Sequence, residues 1–123
     1  MDTPFDVQAV RAALSTAWSA RSSSKWTADA PAVGQCSPTA LVVQERFGGA
    51  ILKTPFQGAW HFYNWIGGQR FDFTAEQFDV APVYEDNPAT RDEVLRDCTE
   101  EQHAALARGF LVAWEKLNRS PTP

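Results

Sequence analysis

Residues 60–74 read Trp60-His61-Phe62-Tyr63-Asn64-Trp65-Ile66-Gly67-Gly68-Gln69-Arg70-Phe71-Asp72-Phe73-Thr74. Two aromatic-rich runs flank a Gly-Gly pair, and since glycine readily takes positive φ, the pair predicts a two-residue hairpin turn between two strands. Opposed residues in such a hairpin keep a constant number sum, so Ile66 faces Gln69, Tyr63 faces Asp72 and His61 faces Thr74. Side chains alternate along a strand. His61, Tyr63, Asp72 and Thr74 therefore share one face, and Phe62, Ile66, Phe71 and Phe73 form an apolar layer on the other. His61 and Asp72 become diagonal neighbours about 5.5–8 Å apart at Cβ, within reach of an imidazole–carboxylate hydrogen bond. Asn64 falls on the apolar face unless a bulge turns it round.

Upstream, Gly34-Gln35-Cys36 leads into Ser37-Pro38-Thr39-Ala40-Leu41-Val42-Val43 and on to Phe47, closed by Gly48-Gly49. Cap-then-proline chemistry at Ser37-Pro38 and the glycine stop predict a short buried helix with Cys36 at its N-terminal end. Backbone N–H groups and the positive end of the helix dipole favour an ionised, nucleophilic sulfur there. A buried unreactive cysteine is the plainer reading of Cys36 alone, and a packed histidine and a surface carboxylate are those of His61 and Asp72. Taken together, a helix-tip cysteine followed by His61 and Asp72 on one strand face reads as a nucleophile, its base and an orienting carboxylate. Gln35 and the Cys36 N–H are candidate oxyanion donors. Trp26, Trp60, Tyr63 and Asn64 are candidate substrate-binding residues, against a packing reading for the tryptophans in a core this small. Cys98 and His103 lack an acidic orienter, so Cys98 is expected to be packed and His103 solvated.

The flanking segments read as helices. Thr3-Pro4-Phe5-Asp6 has helix-start chemistry, and Val7, Val10, Leu14 and Trp18 follow at spacings of three and four. Ser19 to Gln35 reads as an irregular loop, and Ala50–Thr54 as a further strand. Beyond the hairpin, Thr74–Gln77 predicts a brief capped turn and Val80–Tyr84 an extended run. Asn87-Pro88 is expected to open a helix, and Thr99 with Gln102 a longer one carrying Leu106, Phe110, Ala113, Trp114 and Leu117.

With 123 residues, 44% hydrophobic and 21% charged, the chain has material for one folded domain, and no repeat divides it. Eleven Lys plus Arg against fifteen Asp plus Glu leave a net charge of −4, the wrong sign for a nucleic-acid surface. No apolar run suits a membrane span and no basic-then-apolar leader opens the chain, so a cytoplasmic protein without membrane or nucleic-acid partners is expected. Two cysteines and two histidines without CxxC or HxxxH spacing predict neither a disulfide scaffold nor a structural zinc site.

The segments GQC-x-x-TALVVQ, GG-x-IL, WHFYN and D-x-T-x-x-QF, spread over nearly the whole chain, resemble the YunG-like family of small bacterial proteins. Between Gly34 and Thr74 the chain more distantly resembles the transglutaminase and papain-like superfamily, in which a GQC-type helix start bears the nucleophile and an H…D strand pair completes a triad. That resemblance implies an α+β papain/transglutaminase-like minimal core over residues 1–119, a Cys-bearing helix on a small antiparallel sheet between N- and C-terminal helices, with residues 120–123 as a disordered tail. It also implies cysteine-dependent acyl transfer without a cofactor: Cys36 attacks a carbonyl, His61 shuttles the proton and Asp72 orients His61. Ser37 stands where the animal transglutaminases usually have an aromatic residue, and the papain-type oxyanion glutamine lies several residues before its cysteine. So small a core suits a small amide, thioester or peptide-like substrate, or a protein partner that completes the cleft. Two other classes remain open at this point: a non-catalytic interaction module on the same scaffold, and a zinc hydrolase with Cys36, His61 and Asp72 as ligands.

Overall fold

The structure, a computed structural model, describes residues 5–118. Among them four helices, α1 (Val7–Ala17), α2 (Cys36–Phe47), α3 (Arg91–Arg96) and α4 (Glu100–Asn118), accompany four strands, β1 (Ala50–Phe56), β2 (Ala59–Ile66), β3 (Gln69–Phe71) and β4 (Asn87–Ala89). The strands form one antiparallel sheet in the order β3-β2-β1-β4, so the fold is α+β. The Gly67-Gly68 turn sets Ile66 against Gln69, Trp65 against Arg70 and Asn64 against Phe71, the register its length requires. β3 stops at Phe71, short of the expected Phe73, which releases Asp72 from the ladder.

β1 runs past the expected Thr54 to Phe56 and turns back through Gln57-Gly58, both at positive φ. Pro55 is tolerated because β4 pairs only with Ile51, Leu52 and Lys53, so β1 is an edge where the proline lacks its N–H. Asn87-Pro88 does not open a helix but forms β4, where Pro88 again lies on an edge. The helix start is Thr90, whose Oγ1 accepts from the Glu93 N–H at 3.1 Å. Thr99 and Gln102 form the expected reciprocal cap of α4 at 3.0 and 2.9 Å. α1 is capped by Asp6, which accepts from the Ala9 N–H at 3.1 Å. The Thr3-Pro4 start and the 120–123 tail lie outside the described residues.

α1, α2 and α4 bury one another's apolar stripes: Val10, Ala13, Leu14 and Trp18 meet Val42, Val43, Leu106, Phe110 and Ala113. Leu117, expected on the same stripe, is instead exposed near the end of α4. A second cluster of Ala40, Leu41, Ile51, Phe62 and Val94 joins α2 to the sheet and α3. Two buried polar side chains tie these layers together. Trp18 Nε1 donates to Thr39 Oγ1 at 2.9 Å, and Asn64 Nδ2 donates to the Ala40 carbonyl at 3.0 Å.

The other face of the sheet is covered by the segment from Phe78 to Asp86, which joins no ladder and crosses the strands as an irregular strap. Thr54 anchors it twice, donating from Oγ1 to the Val83 carbonyl at 2.8 Å and accepting from the Glu85 N–H at 3.0 Å. Tyr63 anchors it again, donating to Asp86 Oδ1 at 2.8 Å and accepting from the Asp86 N–H at 2.9 Å. Among the described residues no helix is long and apolar enough to cross a membrane.

Asn64 is 1% exposed, so removing its amide leaves a void and a lost hydrogen bond between α2 and β2. Asn64→Ala is expected to lower the unfolding free energy by about 1–3 kcal/mol in urea titration, with native circular dichroism retained.

Candidate active site

Cys36 is the first residue of α2 rather than its forerunner. Gln35 occupies the N-cap position without a side-chain cap, and Ser37 and Pro38 fall inside the first turn. Proline is well suited there because the N–H it lacks would have no intrahelical partner. Ser37 does not cap the helix as expected; its Oγ donates to the carboxylate of Asp97, which is thereby held beside the positive end of α2. The Cys36 sulfur lies 3.9 Å from Ser37 Oγ.

His61 stands on the strap-covered face of β2, edge-on to Phe78 with ring centroids 4.9 Å apart and stacked against Tyr63 at 6.0 Å. Its Nε2–H donates to Asp72 Oδ2 at 2.7 Å. Tyr84 OH donates to the same oxygen at 2.7 Å, and Thr74 Oγ1 lies 3.4 Å from Asp72 Oδ1. The His61 and Asp72 side chains are only 3% and 5% exposed, so this contact is shielded from solvent. With Nε2 committed to Asp72, Nδ1 is the ring nitrogen left for the sulfur.

The electrostatics follow from this arrangement. Burial opposes charge on the imidazole, but the hydrogen bond to Asp72 and its negative charge, with the neighbouring Cys36 sulfur adding to them, outweigh it and raise the His61 pKa from 6.5 to about 9. Burial, reinforced by the bond to Asp72, pushes the Tyr84 phenol well above its ordinary value, which keeps it a donor. Arg70 stacks on Tyr84 at 4.5 Å and pairs with Asp86 at 2.6 Å, fixing the strap from outside.

Cys36 and His61 open onto one cleft of about 550 Å³. Its walls come from Ser23–Lys25, Gly34, the Phe56–Trp60 turn, Gln77-Phe78 and the Asp97-Cys98 junction. Trp60 lies on the rim under the Lys53 ammonium, 4.4 Å from the ring centroid. Trp60 is alone among the expected substrate-binding residues in lining the cleft. Gln35 is fully buried and its Nε2 donates to the Ser19 carbonyl at 3.4 Å. Trp26 packs against the helical core, Tyr63 is buried with its hydroxyl turned to Asp86, and Asn64 serves α2 from the opposite sheet face.

Two residues outside the sequence expectations belong to the site. Tyr84 completes the Asp72 carboxylate, and no local pattern could have indicated it, because the strap brings it back from an irregular segment. Gln77 accepts from the Gly34 N–H through Oε1 at 3.1 Å, while its buried Nε2 has no hydrogen-bond partner. The signal available for Gln77 was its place in the D-x-T-x-x-QF run.

Cys98 shares the cleft wall with Cys36 but differs in chemistry. Burial, with the charges of Asp97 and Cys36 adding to it, pushes its thiol up to about 11. His103 is not freely solvated: its Nε2 meets Glu45 Oε1 at 3.0 Å, and Glu45 also pairs with Arg91. Among the described residues no group of three or more His, Cys, Asp or Glu side chains is arranged to hold a metal ion.

Fold and site thus define a small α+β domain in which a cysteine and a histidine line one cleft and a buried aspartate bonds the histidine from behind. The family model described as YunG protein matches residues 6–115, and the chain belongs to that family. It is 48% identical over 101 residues to the YunG protein of Bacillus subtilis (strain 168), itself described as uncharacterized, covering 82% of this chain and 88% of the relative. No solved structure matches the chain significantly.

The raised His61 pKa has a stability consequence. Its folded value of about 9 exceeds the unfolded 6.5, so the protonated ring stabilises the fold fully below pH 6.5 and this contribution is lost as the pH rises through 9. Asp72→Asn is expected to lower the His61 titration, read from the imidazole ring protons by NMR, and to flatten the decline in stability across that window.

Proposed function

We propose that this protein is a cysteine-dependent acyl-transfer enzyme built on a papain/transglutaminase-like minimal core. The observation that carries the reading is the buried Asp72–His61 hydrogen bond on the wall of the cleft that also holds the Cys36 sulfur. A carboxylate fixed by two further donors holds one ring nitrogen, so the other is presented in a fixed tautomer and orientation.

In this reading Cys36 Sγ attacks a substrate carbonyl carbon, and its proton resides on His61 Nδ1. The tetrahedral intermediate collapses as the imidazolium returns the proton to the leaving amine or thiol, leaving a Cys36 thioester. Water or an amine then attacks the thioester, giving its proton to His61, and Cys36 departs as product forms. Amide hydrolysis and deamidation take water as the acceptor and differ in the amine released, whereas amide-bond formation takes an amine. The cleft fits a small amide, thioester or peptide-like segment, and Trp60 offers an exposed apolar face at its mouth.

Iodoacetamide labelling tests the reading. Cys36 is expected to alkylate well below pH 8 while Cys98, with its raised pKa, stays unlabelled, and His61→Ala is expected to slow Cys36 labelling at least about tenfold at pH 7. Equal, slow labelling of both cysteines, unaffected by His61→Ala, would instead support a non-catalytic interaction module.

A further inference from the structure

One residue lining the cleft, Gln77, carries a buried hydrogen-bond donor that the triad does not use. Gln77 closes a 3-10 turn (Ala75–Gln77) immediately before the strap begins at Phe78. The orientation of its amide follows from chemistry: the Gly34 N–H, 3.1 Å away, needs an acceptor, so Oε1 faces Gly34 and the amino group must point elsewhere. Gly34 has φ +74°, and a Cβ there would meet Ser23 Oγ at 2.4 Å, so this backbone approach requires glycine. Nε2 is left buried without a partner, in a side chain that lines the same cleft as Cys36 and His61. A buried donor without an acceptor is unfavourable, and of the three buried side-chain atoms left without a partner among the described residues, on Trp26, Gln35 and Gln77, that of Gln77 alone belongs to a residue lining the cleft. Gln35, the glutamine beside the cysteine, is unsuited to this task because its amide is turned inward to Ser19.

Resting on the acyl-transfer reading above, we infer that Gln77 is a catalytic residue that supplies the side-chain donor of an oxyanion site. As the Cys36 sulfur bonds to the carbonyl carbon, the carbonyl π pair moves onto oxygen. Nε2 of Gln77 and the Cys36 N–H, at the start of α2 where backbone donors have no helical acceptor, hydrogen-bond that oxygen. The same pair of electrons re-forms the carbonyl when the leaving group departs with the proton from His61.

Two reagents separate this role from a structural one. p-Nitrophenyl acetate acylates a thiol through a tetrahedral oxyanion, whereas iodoacetamide alkylates it by displacing iodide, with no charge developing on a carbonyl oxygen. Acetylation of Cys36, followed as the first turnover of p-nitrophenolate and by peptide mass, is expected to fall about 10²-fold or more in Gln77→Ala. The rate of alkylation at pH values where it has reached its plateau is expected to stay at the wild-type level. Gln77→Met preserves side-chain volume without a donor and should behave like Gln77→Ala, which decides the matter if the smaller variant folds poorly by circular dichroism. Acetylation at the wild-type rate in both variants, or an equal loss of acetylation and alkylation, overturns the role of Gln77 and leaves the acyl-transfer reading standing. Wild-type protein that acetylates neither faster nor more selectively at Cys36 than at Cys98 overturns both.

Discussion

A carboxylate removed from water must have its oxygens filled, and the one on Asp72 is filled by groups from separate parts of the chain: an imidazole from β2, a phenol from the strap and a hydroxyl two residues on. Each donor pulls its own segment into place. β3 has to end before Asp72 so that the carboxylate can leave the ladder and turn toward His61, and the strap has to cross the sheet so that Tyr84 can reach it. The Thr54 and Tyr63 anchors hold the crossing, and the Arg70–Asp86 pair clamps it from the solvent side. What looks like irregular backbone between the 3-10 turn and β4 is therefore the element that dries the imidazole.

The cysteine reaches the same place from the opposite side of the architecture. α2 lies on the apolar face of β2, with Asn64 bonded to its first turns and Phe62 packed among its side chains. That packing sets the position of the helix tip relative to the strand. The tip itself is pinned by Ser37 to Asp97 at the end of α3, so the sulfur is located by helix, sheet and a second helix together. A side chain carried on rigid elements is held more reproducibly than one on a loop, which is the physical advantage of placing two layers of core behind one thiol.

How much of this could be read from the residues depends on the range of the interaction. The hairpin register was legible because a Gly67-Gly68 turn admits few alternatives, and from it came the shared face of His61 and Asp72. The helix bearing Cys36 was legible from its apolar run and its glycine stop, though not to the residue, since Pro38 is compatible with more than one place in a first turn. β4 was missed because Asn-Pro carries a helix-start signal and a three-residue edge strand carries almost none. Gln35 was assigned to the site by adjacency to the cysteine, yet neighbours at a helix start point in different directions, and its amide satisfies the preceding loop. Tyr84 was invisible because its partner is reached only through the irregular strap, in a contact that no local spacing encodes, and Gln77 was marked only by its place in the D-x-T-x-x-QF run.

The cleft is lined in part by connections and in part by helix and strand. Ser23–Lys25, Gln57 and the α3–α4 junction contribute to the rim without sharing a ladder. Lengthening a connection costs little chain entropy. The exposed Ser24, Lys25 and Gln57 can therefore change without disturbing the sulfur, the ring or the carboxylate, whereas Asp97 and the buried Ser23 are fixed by their hydrogen bonds to Ser37 and the Val33 carbonyl. A cleft lined in this way can change what it admits through its connections alone.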